Sequence, residues 1–396
     1  MVGTKLEKLS FRLESITLPR LVLILLKDKS FRLNRIIHIS TARSWRGGEQ
    51  QLWYLAGELS AMGFPQVVFC PDHAPLSQRE TVTGLSIEPD AMSNALASAQ
   101  RLKILCMQSP DTIMHAHDAR AHTIAILSCV FFRNPAPVVV SRRVDFRPGN
   151  GWFSRFKYRH RSVKKIICVS GRIQAIMSEY LGSGEKLVTV HSGIDLSRFP
   201  SGGKHDRLAR EFGLHGDSKL IGNVSALADH KDYFTFLDTA EILLKQNSGL
   251  RFFIIGDGPL RNRIRDSIRS RGLQDVVIMT GHREDIPVIL PCLDVFLMTS
   301  RTEGLGTTLL DAFACRVPVV STDAGGIPEV VQDGVTGLLA PVADPVRLAG
   351  QVSRLLIDQG LREKLAGNAF LAVQRLTKQE TAIRTAGIYR EIIRPD

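Results

Sequence analysis

Short apolar, β-branched runs alternate with helix-length segments along almost the whole chain. The runs fall at 36–40, 66–70, 113–117, 138–141, 166–170 and 188–191. After a polar break they resume at 220–225, 251–256, 276–280, 295–300, 317–322 and 337–340. Near-continuous apolar strands separated by helices are what a parallel sheet covered on both faces requires. The break, Ser201-Gly202-Gly203-Lys204-His205-Asp206, has linker chemistry and divides the runs into two sets of six. The pattern predicts an α/β protein of two Rossmann-like, doubly wound domains facing a central cleft, over 35–200 and 207–375. A basic lead-in occupies 1–34, and a C-terminal helix, 376–396, is expected to return to the first domain. In such folds ligands bind outside the C-terminal ends of the strands.

The richest segment is Ser300 to Cys315. A strand-like run feeds a small-residue turn carrying Glu303. A helix then starts at Gly304-Leu305-Gly306-Thr307, with a second acid, Asp311, eight residues after the first. Free N–H groups and the positive dipole end at such a start form an anion site. Asp311, one turn beyond Thr307, shares that face. One acid beside an anion site and another along the same face suit a phosphate centre with hydroxyls at either end, which describes a sugar nucleotide.

Other strand ends add to this. Gly47-Gly48 follows the first run and opens a helix, where the absence of side chains lets a phosphate or sugar approach the backbone; the plainer alternative is a tight strand-to-helix turn. His115 and His117 stand at i and i+2, on one side of their strand, without a third ligand at recognisable zinc spacing. His117, at the very end, is the better candidate for a cleft-lining hydrogen-bond donor. Lys231, after the first strand of the second set, is placed to reach a diphosphate as a point charge. Gly256-Asp257-Gly258-Pro259-Leu260-Arg261 imitates a dinucleotide fingerprint but has Arg261 where the third glycine belongs, and reads as a structural turn. Gly325 and Gly326 shape a cleft wall, with Glu329 a candidate helix cap. No Asp-x-Asp, GxSxG or Walker A sequence occurs.

Charge changes the picture in one respect. The net charge of +12 is concentrated: residues 1–35 carry eight Lys/Arg against three Asp/Glu, and residues 142–172 carry ten against one. The second patch holds Arg142 and Arg143 at a strand end. Trp152, Phe153, Phe156 and Tyr158 then interleave with Arg155, Lys157 and Arg159. Nucleic-acid binding is one reading; an anionic lipid or phosphorylated acceptor docking on an interfacial helix is the other, and is preferred. No run reaches the length of a membrane span. The lead-in lacks a small-residue cleavage site and is read as a surface-seeking amphipathic segment, not a secretory signal. The six scattered cysteines are read as reduced core residues.

Taken together, Glu303-x7-Asp311, the following Val317 to Glu329 stretch, His191-Ser192-Gly193-Ile194-Asp195 with Phe199, the Gly47-Gly48 turn and His115-x-His117 resemble the retaining glycosyltransferases of family 4, which have the GT-B fold. The resemblance implies that Glu303 contacts donor-sugar hydroxyls and Asp311 the ribose diol. It also implies that the amides of Gly304, Leu305, Gly306 and Thr307, with Lys231, hold the diphosphate. His117 would touch the sugar from across the cleft, and Gly47-Gly48 would leave room beside the phosphates. Neither metal nor cofactor is expected, and a UDP-sugar is the favoured donor. Two departures stand out: the second acid is usually glutamate, and the arginine usually found five residues before the lysine is Ala226. His230, Arg142 or Arg143 are candidate replacements. The basic helix points to a lipid-linked, anionic saccharide acceptor, such as a lipopolysaccharide core, and to a peripheral position on the cytosolic face of a membrane. A sugar-nucleotide 2-epimerase of the same architecture, or a nucleic-acid-binding protein using the basic helix, are the alternatives.

Overall fold

The computed structural model describes residues 35–149, 151–199, 206–214 and 217–393; the lead-in and most of the polar break lie outside them. Two all-parallel sheets carry the fold. The first has seven strands: β1 (Arg35–Ile39), β2 (Gln66–Pro71), β3 (Leu85–Asp90), β4 (Thr112–Ala116), β5 (Val138–Arg142), β6 (Val163–Cys168) and β7 (Leu187–Thr189), in the order β3-β2-β1-β4-β5-β6-β7. The second has six: β8 (Lys219–Val224), β9 (Leu250–Ile255), β10 (Val277–Gly281), β11 (Val295–Met298), β12 (Val319–Thr322) and β13 (Leu338–Ala340), in the order β10-β9-β8-β11-β12-β13. Both orders reverse direction beside their first strand, between β1 and β4 and between β8 and β11. Those two points are where the chain ends of a doubly wound sheet diverge and leave a crevice.

Every residue of β2, β4 and β5 is buried, as covering helices on both faces require. β3 is the strand that the apolar pattern did not reveal, so the first sheet has seven strands, not six. Its sequence, Leu-Ser-Ile-Glu-Pro-Asp, has only Leu85 fully buried. An edge position tolerates Pro89 and the acidic residues that a central strand would exclude. All six cysteines are free.

The final helix, Lys378–Ile393, lies against the first domain. Its Ala382, Ala386, Ile388 and Tyr389 share an apolar cluster with Ile36, Leu55, Leu59, Val139 and Val190. The entry is fixed by a backbone bridge between Ile194 and Thr377 and by Lys378 Nζ, 2.9 Å from Asp195 and 3.1 Å from Glu58. The chain therefore crosses back after completing the second domain and straps the two together.

Tyr389 is fully buried, and its hydroxyl meets His115 Nδ1 at 2.5 Å. Tyr389→Ala is expected to destabilise the protein by about 3–5 kcal/mol and Tyr389→Phe by only about 1 kcal/mol, since the second variant loses a hydrogen bond and no packing volume. Urea denaturation of both variants checks this. Equal destabilisation would mean that the packed ring is not what anchors the strap.

Candidate active site

The site is assembled from the C-terminal ends of strands on both sheets. Lys231 follows β8 and Glu303 follows β11, the two strands flanking the second switch point. Lys231 Nζ lies 2.5 Å from Glu303 Oε2, and both side chains are largely buried. Their loops are zipped together behind them. Thr299 donates to the carbonyls of Lys231 and Asp232 at 3.1 and 3.0 Å, and the Arg301 amide donates to the His230 carbonyl at 2.7 Å. Arg301 also pairs at 2.8 Å with Asp232, which caps the helix Tyr233–Gln246. Residues 67 to 72 positions apart thus hold the ammonium and the carboxylate in one place.

The helix predicted after this turn is Thr307–Ala314. Gly306 is its N-cap, at φ +82, a left-handed backbone that glycine adopts without strain, and no side chain caps the start. Gly47 sits directly opposite: a methyl group built there would touch Thr307 Oγ1 at 4.0 Å. The Gly47-Gly48 turn and the bare helix start therefore face each other across the cleft, with Leu305 buried behind them in the core. The carboxylate of Asp311, one turn along, has no hydrogen-bond or ion-pair partner among the described residues. Burial pushes its carboxyl up to about 7, only partly offset by Arg198.

The facing wall comes from β4 and β5. His117 is 8% exposed. Its Nε2 lies 3.0 Å from His38 Nδ1, and His38 Nε2 lies 2.9 Å from Gln66 Oε1. The nitrogens of His38, His115 and His117 lie within 4.8 Å of one another, close enough to share a metal ion. Five of the six already have protein partners, however, since His115 bonds to Tyr389 and Ser141; among the described residues only His117 Nδ1 has none. Burial lowers the basicity of all three rings, to about 4 for His38. Beside them Arg143 is held down to about 10 by burial, with Glu49 working the other way. It forms one long bond, 3.4 Å to Ser192, and no ion pair among the described residues. Arg142, paired with it in the sequence, takes a different place. Its guanidinium is buried over the Phe146 ring and bonds to the Phe146 carbonyl and to Tyr158. As an acceptor or membrane contact Arg142 is therefore corrected: its charge is used within its own loop.

Two residues that motif reasoning left without a role, or with only a local one, join the domains. Asp145 accepts the Glu303 amide at 2.9 Å across the cleft. Glu329 accepts the amides of Gly171 and Arg172, both at 2.8 Å, so it does cap a helix, but one belonging to the other domain. His191 meets the same carboxylate at 2.9 Å. Burial opposes ionisation of Glu329, yet these bonds hold it below the usual range. Nothing in the sequence signalled either contact, because each spans more than 130 positions.

The basic helix is Trp152–Arg159. Trp152 is 78% exposed, Phe156 and Phe146 are also exposed, and only Tyr158 is buried. Lys157 turns inward to the Ala119 carbonyl and Thr123, Arg159 reaches the Leu181 carbonyl, and Arg155 lies over the Tyr180 ring. Next to the helix a groove of about 690 Å³ is lined by Val130, Arg133, Pro135, Phe156, Arg161 and Lys164. Among the described residues no helix is long and apolar enough to cross a membrane.

Two facing doubly wound domains with the strand ends of both turned to one cleft define the GT-B fold. Residues 45–198 match Glycosyltransferase Family 4 and residues 205–371 match Glycosyl transferases group 1, and the chain belongs to this family. It is 34% identical over 188 residues to alpha-D-kanosaminyltransferase of Streptomyces kanamyceticus, covering 47% of this chain and 48% of that protein. It is 30% identical over 192 residues to N-acetyl-alpha-D-glucosaminyl L-malate synthase of Bacillus anthracis, covering 48% and 50%. The chain thus spans about half the length of these curated relatives. Among solved structures, Anabaena HepE in complex with UDP and glucose superposes with a TM-score of 0.78 at 19% identity, over 90% of this chain and 99% of that one.

The raised carboxyl of Asp311 has a thermodynamic consequence. The folded state binds its proton at a pH where the unfolded state has lost it, so stability falls as pH rises from about 4 to about 7. Asp311→Asn is expected to stabilise the ligand-free protein at pH 8 by about 1–2 kcal/mol, the cleft position screening part of the full effect, and to leave it unchanged near pH 4. Thermal unfolding at the two pH values reads this; a gain at pH 4 as large as that at pH 8 would show that Asp311 does not titrate there.

Proposed function

We propose that the chain is a retaining, metal-independent hexosyltransferase. It takes a nucleoside-diphosphate sugar, UDP-linked by preference, and passes the hexose to an anionic, membrane-apposed glycan such as a lipopolysaccharide core or another cell-envelope saccharide. The observation that carries the reading is the Lys231–Glu303 pair, 2.5 Å apart, beside an uncapped helix start that faces Gly47. In this reading the amides of Gly304 to Thr307 and Lys231 receive the diphosphate, Glu303 the sugar hydroxyls and Asp311 the ribose diol. Leaving-group charge is then met by fixed dipoles and a cation, an effect worth about 3 kcal/mol per well-placed donor. Arg143 supplies the second cation that Ala226 cannot. Its guanidinium is partly buried, with Nε enclosed and unpartnered, and no carboxylate among the described residues is bonded to it; a charge so placed is costly until a ligand provides a partner. Attack by the acceptor on the face that the diphosphate leaves gives retention. The HepE complex, which holds UDP and glucose in the same fold, supports the donor class. The relatives name different sugars and acceptors, so the hexose is left open.

The acceptor side rests on the aromatic and basic face around Trp152, Phe156, Arg155 and Arg161. Such a face suits an anionic headgroup layer on the cytosolic side of a membrane. It also gives transfer to an acceptor an advantage over 2-epimerisation, which needs no docking surface.

A thermal-shift series across UDP-, GDP- and ADP-sugars is expected to raise Tm with the UDP compounds most. Glu303→Gln is expected to lower kcat by about 100-fold or more while UDP binds within a few-fold of the native affinity. Transfer at the native rate by that variant would remove Glu303 from the chemistry. Sedimentation with vesicles is expected to recover the protein with phosphatidylglycerol and not with phosphatidylcholine. Trp152→Ala combined with Arg155→Gln and Arg161→Gln is expected to abolish that recovery. Equal recovery on both lipids, unchanged in the variant, would overturn the membrane assignment.

A further inference from the structure

The proton positions along the buried polar chain behind His117 follow from its heavy atoms alone. Gln66 Nε2 lies 2.9 Å from the Ala56 carbonyl oxygen, an atom that only accepts, so this end of the side chain is the NH2 group. Gln66 Oε1 therefore faces His38 Nε2 at 2.9 Å, and His38 Nε2 must carry a hydrogen. His38 is fully buried and neutral, which leaves its Nδ1 as a bare lone pair. That lone pair sits 3.0 Å from His117 Nε2, so His117 Nε2 is the donor. His117 is also neutral in its buried setting, so its Nδ1 in turn carries no hydrogen. This nitrogen is buried and has no partner among the described residues. The polarity is the opposite of the donor role that the strand-end position suggested for His117.

We propose that Gln66 and His38 are positioning residues that lock His117 in the Nε2–H tautomer, so that Nδ1 accepts a hydrogen bond from a substrate hydroxyl. Under the glycosyl-transfer reading, on which this identification of the ligand rests, that hydroxyl belongs to the donor hexose. His117 directly follows the C-terminal end of β4, the side on which a doubly wound sheet binds its ligands, and its one unpartnered atom is an acceptor. A hydroxyl satisfies it by donating; a second acceptor does not. Gln66 and His38 lie on the neighbouring strands β2 and β1, where Ile36 pairs with Gln66. The three side chains thus make a rigid relay of fixed direction from the Ala56 carbonyl to the site. His115 takes no part, since both its nitrogens are bonded to Tyr389 and Ser141.

Long-range 1H–15N correlation on protein carrying 15N-labelled histidine, without ligand, reads the tautomer directly. His117 is expected as Nε2–H, with an unprotonated Nδ1, from about pH 6 to pH 8. An Nδ1–H tautomer or an imidazolium in that range overturns the proposal, whatever the protein's substrate proves to be. The functional half is tested on full-length variants with a UDP-hexose donor. His38→Phe and Gln66→Leu are expected to raise KM for the donor about tenfold or more, while Kd for free UDP, which has no hexose, stays within about twofold. His38→Gln, whose amide donates to Gln66 and accepts from His117, is expected to restore KM. Parallel loss of UDP and donor binding, or an unchanged KM in His38→Phe, overturns the positioning role. Failure of any sugar nucleotide to bind the wild type would count against the enzyme assignment instead, and the ligand-free spectrum would still decide the tautomer.

Discussion

The contact between the 303–304 backbone and the end of β5 is the constraint on which the site depends. Asp145 accepts the Glu303 amide across the cleft, and Gly304 packs so closely on the Arg143 carbonyl that an added methyl group would sit 2.2 Å from it. Backbone meets backbone here, so the two domains approach to a distance that no side chain would permit. Glu329, capping a helix of the opposite domain, fixes a second point, and the returning helix from Lys378 a third. Three separate attachments define the relative placement of two rigid sheets. Each catalytic candidate on one wall is therefore held in a set position relative to the other.

What that closure creates is a cleft with charges left in deliberate imbalance. Lys231 and Glu303 neutralise each other, while Asp311 and Arg143 are partly buried and, among the described residues, have nothing of opposite sign bonded to them. A folded protein bears such costs only where the surrounding packing holds the groups in place and a ligand can relieve them. The anion site, the unpaired acid and the unpaired cation lie within one cleft.

Much of this architecture was legible in the chain. The apolar runs located twelve of the thirteen strands because buried parallel strands must be apolar on both faces; β3 escaped because an edge strand need not be. Glu303, Lys231 and Gly47 stand out in the chain because local chemistry marks them: an acid before a helix start, a cation after a strand, glycines at a turn. Asp145, His38, Gln66 and the divergence of Arg142 from Arg143 were not found. Adjacent arginines look alike in a sequence, yet strand alternation sends one side chain under Phe146 and the other toward the cleft.

The sequence by itself determined the two-domain parallel-sheet fold and the strand ends that carry the candidate site, because periodicity and turn chemistry are local properties. Tertiary structure alone decided which charges remain unpaired, which residues bridge the domains and which nitrogen of His117 carries the proton. Those outcomes depend on partners separated by many tens of positions, brought within 3 Å only by the folded chain.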